Sequence, residues 1–229
     1  MVGILVLSII KLIRCNIKKG RERDFSRGQL AWRELSKCDG FEGQLGGWTK
    51  SDDAVVLGGW SSQEHVRHFM SSIHDNIYDK SNQSGTYSHC NVQYFEKVLD
   101  ITSTGSGRAA SQQSIFQLTL CREVEAIDRF MRDQKWLWNP SLGNAKGMLS
   151  GVVARSLAHR DQFLVVTRWN SNRNYQGYRE SVLPSLKQQV KPEDYIKDIS
   201  GFLVREENLW TVKPDHAVQL IQNPSLIFM

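Results

Sequence analysis

The chain has 229 residues, 40% of them apolar and 23% charged, with a net charge of +5. That balance excludes disordered and fibrous classes and suffices for two cores of about 100 residues each. Lys and Arg are scattered among Asp and Glu and form no basic stripe interleaved with aromatics, so no nucleic-acid partner is expected.

Val2–Ile10 is apolar, with no basic residue before it and no small-residue cleavage site after it. It is shorter than the roughly 20 apolar residues a membrane span needs. It reads as a lead into an edge strand, or as an over-extended translation start, and a cytoplasmic protein with no membrane partner is expected. Cys15, Cys38, Cys90 and Cys121 form no CxxC pair and read as buried thiols in a reducing compartment.

Ile10–Ile17 alternates apolar and polar residues as a first strand does. An amphipathic helix over about Glu22–Lys37 follows, with Phe25, Gln29, Trp32 and Leu35 on one face. Gly40–Thr49 is a Gly-rich strand, and Ser51-Asp52-Asp53 turns it into the strand Ala54–Trp60. Ser61 with Glu64 reads as a capping box for a helix over about Ser62–Ile77, with a stripe at Val66, Phe69, Met70, Ile73 and Ile77. The polar loop Lys80–Thr86 leads to a strand at Tyr87–Lys97.

The order β-α-β-β-α-β then recurs. It runs through strand Ile115–Cys121, helix Val124–Trp138, strands Met148–Leu157 and Gln162–Trp169, helix Asn172–Leu183 and strand Phe202–Val212. AVVLGGWSS at Ala54–Ser62 is echoed by FLVVTRWNS at Phe163–Ser171. The offset grows from 105 (Gln29 to Gln134) through 107 (Gly40 to Gly147) to 109 (Trp60 to Trp169), as two copies of one domain with short insertions require. The fold class is therefore α+β: two tandem ferredoxin-like (βαββαβ) domains forming a pseudo-dimeric α+β barrel. The expected domains are residues 1–102 and 114–213, joined by a Gly/Ser linker at 103–113 and followed by a tail at 214–229.

A Gln sits in each apolar helix stripe, Gln29 in the first half and Gln134 in the second. A buried amide must find its hydrogen bonds in the chain or in a ligand. His74, at the edge of the second stripe, is suited to metal, haem or proton chemistry, or is a partly buried side chain without a chemical role. Asp75 beside it points elsewhere on a continuous helix, so the two pair only if the helix has ended. His65 and His68 lack a third metal ligand. Gly43–Trp48 lacks the Lys-Ser/Thr ending and the following helix of a phosphate loop, and its glycines suit close backbone approach or room for a ligand. No Ser/His/Asp triad, HExxH or GxSxG element is present, which argues against the usual hydrolases.

GQLAW at Gly28–Trp32, DGFEGQLGGW at Asp39–Trp48, the Trp60-Ser61 strand end and FMSSIHDNIY at Phe69–Tyr78 resemble the YdbC-like bacterial proteins of unknown function. Those are similar to the dimeric α+β barrel superfamily that also holds antibiotic-biosynthesis monooxygenases and haem-degrading monooxygenases. The resemblance spans about residues 10–98. It implies a ligand pocket between helices and sheet, and monooxygenase-like oxygenation if the protein is an enzyme. In the haem-degrading branch a helix Trp, a helix His and a strand-one Asn line that pocket. Here the Trp position is Phe69, His74 falls several residues early, and Asn16 stands near the end of strand one.

The expectation is a protein that takes a small, aromatic or planar ligand in its N-terminal half, against Gln29, Trp32, Trp48 and Phe69, with His74 as the catalytic group. No cofactor is required. The alternatives are a non-catalytic tandem barrel protein and a haem binder using His74. The expected state is a pseudo-dimeric monomer or a homodimer. Leu183 stands where His74 would fall in the second half, so His-dependent chemistry belongs to the first half alone.

Overall fold

Alternating strands and helices settle into two units in this computed structural model, which describes residues 9–105 and 114–215. The apolar stretch before Ile9, most of the Gly/Ser linker and the tail beyond 215 lie outside the described residues. The first unit takes the chain up to Gln93 and regains it from Glu207; the second is Tyr94–Glu206.

In the first unit, β1 (Ile9–Ile17), β2 (Phe41–Thr49) and β3 (Ala54–Trp60) pair antiparallel in the order β1-β3-β2. Side chains alternate between the two faces. Ile13, Cys15, Ala54, Val56 and Trp48 therefore meet Phe25 on the side that the helices cover. β4 (Tyr87–Ile101) begins beside β1, where Lys18 N–H donates to the Thr86 carbonyl. A Cys15–Cys90 disulfide ties the two strands. The expectation of four free thiols is corrected: only Cys38 and Cys121 are free.

In the second unit, β5 (Ile115–Val124) pairs with β7 (Phe163–Trp169) and with β8 (Ile196–Glu206). β6 (Met148–Ser156) lies between β7 and the Phe95–Ile101 end of β4. Both units thus carry the ferredoxin-like βαββαβ order in tandem. The last strand lies earlier than expected, because the apolar residues at 208–212 form a 3₁₀ turn, Asn208–Trp210, and a single bridge from Val212 to Gln44.

The helices are more broken than their periodicity suggests. α1 (Glu22–Gly28) passes into a 3₁₀ helix at Gln29–Lys37. Its counterpart α4 (Ile127–Asp133) passes into a π-helical turn at Gln134–Trp138 and then α5 (Asn139–Gly143). Both leave α geometry at the buried Gln. The next helix splits in each unit, into α2 (Gln63–Ser72) and α3 (His74–Ser81), and into α6 (Asn172–Ser181) and α7 (Leu183–Val190). Pro184 explains the second split, since it has no N–H to continue the ladder. In the first, Ser71 Oγ donates back to the His68 carbonyl, a bond that bends helices. Ser62, one residue later than expected, caps α2 by accepting His65 N–H, and Ser171 caps α6 likewise. Gly40 and Gly147 both hold positive φ, where a Cβ would strike His65 and Asn174 of the helix that follows.

Candidate functional site

The helix split at Ile73 (φ −123°) makes His74 and Asp75 the first two residues of α3. At that end Asp75 can turn back, and its Oδ1 lies 2.8 Å from His74 Nδ1. An ionised carboxylate only accepts, so Nδ1 supplies the hydrogen of this contact. This is the arrangement a continuous helix would have forbidden. The His74 side chain is 20% exposed and that of Asp75 is 90% exposed.

Aromatic rings surround the imidazole. Trp32 lies 5.4 Å away between centroids, Phe69 5.7 Å, and Tyr78 5.9 Å with its plane within 10° of parallel. Phe69 also packs on Trp60 at 4.8 Å. Trp32 is fixed from the loop after α3: Gln83 Oε1 accepts its indole N–H at 2.9 Å, while Gln83 Nε2 donates to the Phe25 carbonyl. Gln83 is buried, and Gly28 lacks the Cβ that would occupy its Cγ position. In the sequence Gln83 is one polar residue in a polar loop, and nothing there marks it as an anchor.

Gln29 is 4% exposed and its carboxamide makes no hydrogen bond among the described residues. Gln134 is 6% exposed and its Oε1 is buried without a partner. The helix faces are therefore as expected, and neither amide is fully satisfied by the chain.

Trp32, Phe69 and His74 come together; Trp48 does not join them. It lies four residues beyond Gln44 along β2, roughly 13 Å at strand rise, packed on Phe25 and on Trp210 at 4.8 Å. Trp210 fills that end of the helix-covered face, its N–H donating to Ser26 Oγ and its ring 2.8 Å from where a Gly46 Cβ would sit. Close approach is thus what Gly46 provides. Asn16 belongs to the opposite face of β1 from Cys15, where it and Arg14 hold Asp53 at 2.8 and 2.6 Å. Burial opposes the ionised form of Asp53, but these bonds outweigh it and hold the carboxyl below its usual range.

Lys11 is the residue that pattern reading missed. It projects from β1 under α2, 6% exposed, with Nζ 3.1 Å from Met70 Sδ and 5.7 Å from the Phe69 ring centroid. Burial pulls its ammonium down to about 8. A Lys within an otherwise apolar alternation at Ile9, Ile13 and Cys15 was the available signal. His65 is taken up by Ser61 and Ser62, and among the described residues no three His, Cys, Asp or Glu side chains gather as a metal site. No helix among the described residues is long and apolar enough to cross a membrane.

The architecture is that of solved structures at low identity. A candidate monooxygenase from Fusobacterium nucleatum matches with TM-score 0.73 and 12% identity over 91% of this chain and 95% of that one. Another from Lactobacillus acidophilus matches with TM-score 0.68 and 13% identity over 90% and 96%. Such likeness establishes the fold: the protein is a tandem ferredoxin-like chain of the pseudo-dimeric α+β barrel class. Residues 9–95 match the family described as a domain of unknown function, DUF4937. Over 93 residues the chain is 31% identical to the uncharacterised protein YdbC of Bacillus subtilis (strain 168), covering 39% of this chain and 78% of that protein. The chain belongs to this YdbC-like family.

Proposed function

We propose that the first unit binds a small planar, aromatic ligand between its helices and sheet, with Trp32 and Phe69 as stacking surfaces, Gln29 as hydrogen-bonding group and Trp48 bounding the far end. The observation that carries this reading is Gln29, a side chain 4% exposed with no hydrogen bond seen among the described residues, in the helix layer that also holds an oriented His74–Asp75 pair among aromatic rings. Buried amides lacking protein partners are costly unless something else satisfies them. In this reading His74 accepts a proton from the ligand, leaving an electron-rich anion for dioxygen to oxidise. The likeness in fold to candidate monooxygenases supports that reaction class.

Haem on His74 fits this packing poorly. Rings on three elements stand within 6 Å of the imidazole centroid, and Trp32 is locked to Gln83, so a macrocycle would have to displace them. Titration with haemin is expected to give the same Soret band with wild type and His74→Ala. A His74-dependent shift would restore the haem reading.

Native mass spectrometry of protein purified from its own host tests the ligand reading. A retained aromatic small molecule, lost in Gln29→Leu, is the expected result. A bare chain with no affinity for any planar aromatic compound would favour a non-catalytic tandem barrel protein.

A further inference from the structure

The indole N–H of Trp32 only donates and the Phe25 carbonyl only accepts, so the Gln83 carboxamide is fixed in one orientation. Its Oε1 accepts from the first at 2.9 Å and its Nε2 donates to the second at 2.8 Å. Gln83 is 3% exposed, and its own carbonyl accepts both the N–H and the hydroxyl of the buried Thr86. Room for it comes from Gly28, where a Cβ would fall on Gln83 Cγ. The loop that follows α3 thus holds a ring of the 3₁₀ helix Gln29–Lys37, and that ring lies 5.4 Å from the imidazole that opens α3.

The second unit aligns with this segment residue by residue. Asn82 and Lys191 end the two split helices in the left-handed region, at φ 52° and 51°. In both units the carbonyl that follows, of Thr86 or Tyr195, accepts from the residue just past the first strand, Lys18 or Glu125. Pro192 therefore stands where Gln83 does, Asp133 where Gly28 does, and Leu137 where Trp32 does. Asp133 pairs with Arg129 and bonds to Tyr195, while Pro192 has no side-chain amide and Leu137 no N–H to hold. This latch is missing together with the imidazole, whose place Leu183 takes. The common backbone does without it, so it goes with His74 rather than with the fold.

We propose that Gln83 is a positioning residue for the site of the first unit: its carboxamide holds Trp32 at a set distance and tilt from His74, so that a planar ligand meets a stacking surface already in place. The ligand's share in this rests on the planar-ligand reading; the hold on Trp32 does not. Packing alone leaves an indole several rotamers, and a bond from its N–H, which must point along its acceptor, selects one of them. The freedom of the ring is then lost during folding rather than on binding, which is how a preorganised site gains affinity.

The test is nuclear magnetic resonance of the full chain, isotopically labelled in tryptophan and histidine. The ring current of Trp32 displaces the His74 Hε1 signal, and the bond to Gln83 displaces the Trp32 indole N–H signal. Gln83→Leu should move both, the first toward the position of the exposed His89 and the second toward that of an indole in water. Gly28→Ala keeps Gln83 and Trp32 and places a Cβ on the latch. It should move the same two signals the same way, and it carries the test if Gln83→Leu does not fold. Thr167→Val, which strips Trp169 of its acceptor in the second unit, controls for lost stability and should leave both signals where they are. Saturable quenching of tryptophan fluorescence by 4-nitroanisole, a neutral planar probe, should need about tenfold more probe in Gln83→Leu than in wild type. Signals that stay in place in both first-unit variants, signals that move as far in Thr167→Val, or an affinity for nitroanisole unchanged in Gln83→Leu would each overturn the positioning role. Signals that move as expected while wild type shows no saturable quenching would uphold the hold on Trp32 and overturn the planar-ligand reading alone.

Discussion

The two units share a backbone plan and differ in the side chains they carry at matched positions. His74-Asp75 at the start of α3 corresponds to Leu183-Pro184 at the start of α7, with the helix broken in both. Phe69 corresponds to Tyr178, Lys11 to Gln117, and Gly58 to Thr167. Cys15 and Cys121 occupy the same register, opposite Ala54 and Phe163, yet only Cys15 is bonded. In the second unit Thr167 Oγ1 accepts the Trp169 indole N–H, and burial pushes the free Cys121 thiol up to about 12. In the first, Lys11 and His74 both lie against the Phe69 ring. The broken helices and capped strand ends that define the backbone recur in both units, so they do not depend on the residues that differ.

The largest expected effect separates the two cysteine positions. The Cys15–Cys90 bridge closes 75 residues, so chain entropy predicts a loss of about 4 kcal/mol when it is removed. Denaturant unfolding of Cys15→Ala/Cys90→Ala should show that loss, whereas Cys121→Ala, a small buried truncation, should cost about 1 kcal/mol. Equal costs would mean that the bridge adds nothing to the first unit.

Lys11 should give the next largest effect, and with the opposite sign. Its folded value of about 8 lies below the ordinary 10.5, so the folded state pays the full cost of the buried ammonium below pH 8. The unfolded chain holds the proton longer, and stability therefore rises as pH climbs from about 8 to 10.5. Lys11→Met should stabilise the protein by up to about 3 kcal/mol at pH 7, and the advantage should shrink to near zero by pH 10.5. Gln117→Met in the second unit should give no such pH dependence in parallel unfolding curves.

Exchanging the matched residues Gly58 and Thr167 should move stability less. Thr167→Val leaves the Trp169 N–H without its acceptor and should cost roughly 1–3 kcal/mol. Gly58→Thr should stabilise by about 1 kcal/mol, since it removes a strand glycine. A loss in Gly58→Thr would show that the space beside Gly58 is smaller than the backbone indicates.

The smallest change is expected at the helix amides. Gln29→Leu should alter stability by less than about 1 kcal/mol, because no protein group is left unpaired. Urea titration that instead shows a loss of several kcal/mol would mean that Gln29 holds the chain together and that the ligand reading has lost its main support.

By itself the sequence determined the duplication, the βαββαβ order and the burial of both Gln side chains. These follow from local signals: alternation, periodicity, and the repeated Trp and cap that end β3 and β7. Tertiary structure decided the rest. The break at Ile73, which lets Asp75 reach His74, leaves no mark in the helical period of that stretch, which runs through it without a fault. Gln83 reads as loop until Trp32 is set above it, and Trp210 reads as part of a strand until the chain returns it to Phe25 and Trp48. Lys11 is an isolated charge in an alternating strand; only with α2 laid over it does burial act on its amine. Spacing along a chain records which face a residue takes. What stands opposite that face, and hence whether a polar group is satisfied, is set by contacts between residues far apart in sequence.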